Sequence, residues 1–132
     1  VIGSWDAGSP RRHGNFDIIM YTTNASIDPH SQMVNLFASW SIPTEQNKGG
    51  TNYTRFSDPK VDEMLKQAAN EPDLAKRKNL YCQIAQIGYE QAIMVYLYQR
   101  MDLDSYRDWL QGWVPNAWDN NGWNAETWWI KK

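Results

Sequence analysis

The sequence predicts a mixed α/β (α+β) fold in which a helical hairpin packs on a partial sheet. Three observations point there: two amphipathic segments with proline-marked starts and stops across residues 58–91, two short apolar runs at 16–21 and 92–98, and turn chemistry after residue 114. Taken in order they read strand, helix, helix, strand, an arrangement in which helices cover sheet faces.

Residues 1–14 are rich in Gly, Ser, Pro and charge without a period, and are read as a loop. The run FDIIMY at 16–21 is apolar apart from Asp17 and is bounded by the polar TTNAS, as a short buried strand would be. Asp28-Pro29 punctuates the end of that polar loop, because a proline pushes the preceding residue out of the helical region. From 31 to 41, Met33, Val34, Leu36, Phe37 and Trp40 recur at spacings of three and four, which suits one helix on a core. Residues 42–54, with Pro43, Gly49 and Gly50, read as a loop.

Asp58 before Pro59 is an N-cap followed by a proline at the first helical position, where its missing N–H costs nothing. Val61, Met64, Leu65, Ala68 and Ala69 then fall on one face, with Asp62, Glu63, Lys66 and Gln67 on the other. Asn70-Glu71-Pro72 ends that helix, and Asp73 caps a second one whose face carries Leu74, Arg77, Tyr81, Ile84 and Gly88, flanked by Leu80 and Ile87. The run AIMVYLY at 92–98 reads as a strand buried on both faces. Residues 106–112 show no clear alternation, PNAWDNNG is turn chemistry, and 127–132 read as a last short strand.

The composition narrows the function. With 132 residues one domain is expected, and 13 basic against 15 acidic residues leave no field to hold nucleic acid. The longest apolar run has seven residues, far short of the ~20 of a membrane-spanning helix. The start at VIGSWDAGSP carries no signal-peptide pattern, so the chain is read either as mature or as one whose front has been removed. The one cysteine, Cys82, excludes an internal disulfide and is expected to be a small buried hydrophobe. Eight Trp, seven Tyr and three Phe either fill a core or line a ligand site, with core filling the default for any single Trp. His13 and His30 lack a partner at metal-ligand spacing, so neither metal nor cofactor is expected. There is no nucleophile or phosphate-loop motif, and the carboxylate pairs Asp62 with Glu63 and Asp102 with Asp104 lack the environment for acid/base work; an enzyme is not expected and no catalytic residue is assigned. The sequons at Asn24 and Asn52 are short enough to arise by chance.

The order FDIIMYTTNASIDPHS, NYTRFSDPKVDEMLKQAANEPDLAKRKNLYCQIAQIGYEQAIMVYLYQR, LQGWVPN and WNAETWWIKK resembles the C-terminal part of the family 5 extracellular solute-binding proteins. These are the oligopeptide- and dipeptide-binding receptors of bacterial ABC importers. The resemblance runs from residue 16 to the end and is densest over 52–99. It implies the C-terminal portion of a two-lobed periplasmic-binding-protein-like fold, in which 1–95 end the second ligand-binding lobe and 96–132 cross the hinge and return to the first. It also implies a chain several times longer, so that these residues form a fragment with apolar surface that the missing part would cover. Ligand would be captured between the lobes and delivered to an ABC permease in the membrane. The location implied is extracellular or periplasmic, with a lipid anchor on the full-length protein as one form of it.

In peptide-binding members the loop after the strand matching 16–21 presents an aspartate to the peptide's amino group, because a buried ammonium needs an opposite charge. Here Asn24 falls at or near that position, a departure that favours neutral hydroxyls and raises an oligosaccharide as the alternative ligand. The candidate ligand contacts are Tyr21, Thr22, Thr23, Asn24, Ser26 and Asp28, with Asp28 as the alternative source of charge and Trp40 as an outlying candidate that suits the lobe core equally. Tyr81 and Tyr96 are expected to be structural, and Met94 replaces a proline common in the family. Two readings from other classes are a free-standing carbohydrate-binding module, which the helical hairpin disfavours, and a helical protein-interaction domain, which leaves 92–98 and the Trp-rich tail without a role.

Overall fold

A computed structural model describes residues 9–23, 26–98, 103–116 and 122–131. The chain divides into two compact units, Val1–Val95 and Tyr96–Lys132. Among the described residues it is a mixture of helix and a small antiparallel sheet, with the helices α1 (Pro10–His13), α2 (Pro29–Phe37), α3 (Pro59–Asn70) and α4 (Leu74–Glu90) in the first unit.

Local chemistry sets where these helices start. α1, α2 and α3 each place a proline in the first turn, where the N–H it lacks would have had no partner. The side chains of Asp28, Asp58 and Asp73 accept from the backbone N–H groups of His30, of Lys60, and of Ala75 and Lys76, capping α2, α3 and α4. Asp28-Pro29 therefore ends the polar loop, as expected, and starts a helix by the same physics as Asp58-Pro59. The helix expected over 31–41 stops at Phe37; Ala38 is extended, and a 3-10 turn follows at Ser39–Ser41.

The core lies where α3 and α4 close on α2. Val61, Leu65, Ala68 and Ile84 are wholly buried, and Leu36, Phe37, Phe56, Met64 and Tyr81 complete the cluster. The three-and-four spacing of α3 is realised at Val61, Met64, Leu65 and Ala68, while Ala69 faces water. In α4 the buried line is Tyr81, Ile84 and Gly88, and Leu74 stays exposed. Gly88 lets α4 approach Phe37, since a Cβ there would lie 2.5 Å from Phe37 Cε1. Cys82 lies next to Tyr81 in sequence, about 100° around the helix from it, and is exposed rather than buried.

The irregular segment 42–56 is pinned by one amide. Asn52 is 1% exposed; its Nδ2 donates to the carbonyls of Ala38 and Phe56, both at 2.9 Å, and its Oδ1 accepts from the Thr54 hydroxyl. The backbone N–H of Asn52 also donates to Ser41 O at 3.0 Å. A buried amide so fully paired joins the end of α2 to the approach to α3.

Three sequence expectations are overturned. Residues 16–21 are not a strand: no ladder partner lies beside them among the described residues, and Ile18 and Met20 stand in solvent. Residues 92–98 are not a strand buried on both faces; Ile93 and Met94 pack against the core, while Val95, Tyr96, Leu97 and Tyr98 are exposed, so Tyr96 has no core role. Both runs have strand composition, but a strand exists only through hydrogen bonds to a neighbour. The α3–α4 hairpin accordingly packs on α2 and not on a sheet. The reading of 1–14 as loop holds for residue 9 and for Gly14, with the single turn α1 between them, and 1–8 lie outside the described residues.

In the second unit β1 (Leu110–Gln111) pairs antiparallel with β2 (Trp129–Ile130), Leu110 opposite Ile130 and Gln111 opposite Trp129. β2 is the core of the strand expected at 127–132; β1 comes from a segment without alternation. Asn124 anchors the ribbon: its Nδ2 donates to Gly112 O (2.7 Å) and Thr127 Oγ1 (2.9 Å), and its Oδ1 accepts from Trp128 Nε1. None of the described tryptophans is fully buried, contrary to the default of core filling. Most of the turn expected at 115–122 lies outside the described residues.

Two substitutions test this packing. Gly88→Ala gains helix propensity yet is expected to destabilise by about 1–3 kcal/mol, because the new methyl meets the Phe37 ring. Asn52→Ala is expected to cost about 1–3 kcal/mol by leaving the Phe56 carbonyl without its donor and taking from Ala38 O one of its two, the other being the Ser41 N–H. Urea unfolding followed by circular dichroism measures both.

Candidate functional site

The candidate contacts cluster on the segment 21–28 that enters α2. The Tyr21 ring meets the buried Tyr53 ring edge-on at 5.7 Å, and the Arg11 guanidinium sits 4.6 Å from the same Tyr53 ring. Thr23 Oγ1 accepts from the Gln32 amide, which ties the segment back to α2. Thr22 and Ser26 are exposed. Asn24 lies outside the described residues.

Asp28 is already engaged within the fold. Besides capping α2, it accepts from Arg77 Nη2 at both carboxylate oxygens, at 2.9 and 2.7 Å. The His30 backbone N–H, followed by the Arg77 hydrogen bond, holds its carboxyl below the usual range. Arg77 is raised in turn, by Asp28 first and Tyr81 second. Arg77 Nε also donates to Ala68 O at 3.1 Å, near the end of α3, and its guanidinium lies 5.5 Å from the Tyr81 ring. The Tyr81 hydroxyl meets His30 Nδ1 at 3.0 Å, closing a chain of contacts from the start of α2 to α4. Tyr81 is thus structural, as expected, and the Asp28 charge has a partner before any ligand arrives.

Trp40 is not brought to this cluster. It follows the far end of α2, whose nine residues span about 13 Å. Its ring is half exposed with the Lys66 ammonium 5.7 Å away, and it does not pack in the core. Asp62, read from its spacing as part of a solvated face, accepts instead from the backbone N–H (2.9 Å) and hydroxyl of Ser39, holding the 3-10 turn.

Asn52, Arg77 and Arg55 carry roles that their sequence neighbourhoods did not reveal. Arg77 offered one signal, a cation placed on an otherwise apolar face of α4. Arg55 adopts a left-handed backbone at φ +57°, and nothing in NYTRFSDP marks it.

No protein-family model, curated protein or solved structure matches the chain. Among the described residues no helix is long and apolar enough to cross a membrane.

The Asp28–Arg77 pair yields a pH test. Because the folded carboxyl titrates below its ordinary value of 3.8, its contribution is fully present above that value and is lost as pH falls through the lowered folded value. Asn at 28 keeps a capping oxygen but loses the charge. The thermal midpoint of Asp28→Asn should therefore lie below that of the parent chain at pH 7, with the gap closing in strong acid and narrowing in high salt. A gap that persists unchanged at pH 2 would assign the effect to capping rather than to the ion pair.

Proposed function

We propose that the chain is the C-terminal part of a family 5 extracellular solute-binding receptor, which captures an oligopeptide between two lobes and passes it to an ABC permease. The observation that carries this reading is the order and spacing of its parts. A polar segment at 21–28 enters a proline-started helix, and the stretch NYTRFSDP then leads into a capped helical hairpin. The surface supports it as well. Leu97, Tyr98, Leu103, Trp109, Trp129 and Ile130 are large apolar side chains left in solvent, as expected of residues that return to a lobe built from other parts of a longer chain.

On this reading residues 1–95 close the second lobe, 96–132 return to the first, and the protein works outside the cytoplasmic membrane without catalysis. Tyr21, Thr22, Thr23, Asn24 and Ser26 offer hydroxyls and an amide suited to a peptide main chain. An oligosaccharide is the second reading. The engagement of Asp28 by Arg77 favours it, leaving the segment with neutral polar groups where an ammonium would require charge.

The test is native mass spectrometry of the full-length receptor containing this sequence, purified without denaturation. A captured mass that fragments in amino-acid steps is the expected result. Hexose or pentose steps would replace the peptide with a sugar, and a receptor that neither retains nor rebinds either class would remove the reading. Asn24→Ala in that receptor should weaken ligand binding by roughly tenfold or more, ~1.4 kcal/mol, with little change in thermal midpoint.

A further inference from the structure

A cavity in the first unit is lined by residues outside the 21–28 segment and has its own chemistry. Arg12, His13, Lys48 and Arg55 line a cavity of about 290 Å³, with Glu45 as the only acid among the lining residues and Pro43 and Thr44 completing the wall. Three permanent cations and a histidine gather here in a chain whose net charge is −2. Lys48, Arg55 and Glu45 form no ion pair with any described residue.

Arg55 is built into this wall. Its Nη2 donates to the carbonyls of Arg12 (2.9 Å) and Pro43 (3.3 Å), so one nitrogen bridges two sides of the cavity. Its remaining guanidinium donors take no acceptor from the described residues. Holding the guanidinium there uses two unusual backbone states. Arg55 itself sits at φ +57°, which costs conformational energy in a residue with a side chain. Gly14 sits at φ +67° with the Arg55 side chain filling the space of its missing Cβ; a carbon there would be 2.4 Å from Arg55 Nε. A surface arginine with no task beyond solubility would relax out of that conformation.

We propose that this cavity binds a small anion with several oxygens, a phosphate or a short dicarboxylate. Lys48 and Arg55 supply the charge, Arg55 through the guanidinium donors that its two wall carbonyls leave over. The volume is at the low end for ligand sites, which limits the occupant to a few heavy atoms or to the anionic end of something larger. This site does not rest on the receptor reading.

The test is isothermal titration of the chain with inorganic phosphate and, separately, with succinate, each at ionic strength matched with sodium chloride. Saturable binding of either is expected, and the one that binds tighter identifies the source of the oxygens. Lys48→Gln, at an exposed loop position, should weaken that binding about tenfold while the circular dichroism spectrum stays unchanged. Arg55→Lys, which keeps the charge but loses the guanidinium donors, should weaken it several-fold. Binding no stronger than the chloride control, or equal binding by parent, Lys48→Gln and Arg55→Lys, overturns the proposal.

Discussion

The first unit depends on one constraint: the apolar stripe of the α3–α4 hairpin must be covered, and α2 is what covers it. Val61, Leu65 and Ile84 reach zero exposure only because Phe37 and Leu36 arrive from α2. Burying side chains of this size stabilises by about 1.5–3 kcal/mol each. The seat of α2 in turn positions the 21–28 segment at its start and the Ser39–Ser41 turn at its end, so the candidate ligand contacts inherit their placement from the core.

Polar groups refine that arrangement. Asn52 works from inside, donating to the carbonyls of Ala38 and Phe56. Asp28, Arg77, Tyr81 and His30 work from the rim, where water screens their charges; their role is to hold the start of α2 against the hairpin rather than to stabilise it strongly. The same engagement occupies both carboxylate oxygens of Asp28, while Thr22, Thr23 and Ser26 on the same segment are neutral. The paired Asp28 carboxylate and the cation-lined cavity at Arg55 thus give the unit two electrically different surfaces.

The second unit is organised differently. Its ribbon has two residue pairs and is tied by Asn124, while Trp109, Trp123 and Trp129 remain in contact with water. A two-stranded ribbon of this size is marginal by itself. The aromatic side chains that composition would assign to a core therefore remain largely available for contact with something else.

The sequence by itself determined the helices of the hairpin. Asp-Pro at 58–59, Asp73, and the spacing of Val61, Met64, Leu65, Ala68, Tyr81 and Ile84 act within a few residues, and the physics of caps and helical faces is local. It also marked residues 22–26 as a polar loop. Tertiary structure decided what local pattern cannot carry: 16–21 and 92–98 have strand composition but no neighbouring strand, Cys82 falls off the buried line, Asp28 finds a cation 49 residues away, and Asn52 and Arg55 meet carbonyls supplied by other segments. Each of those outcomes depends on a partner distant in sequence, and only the packing of the three helices brings such partners within reach.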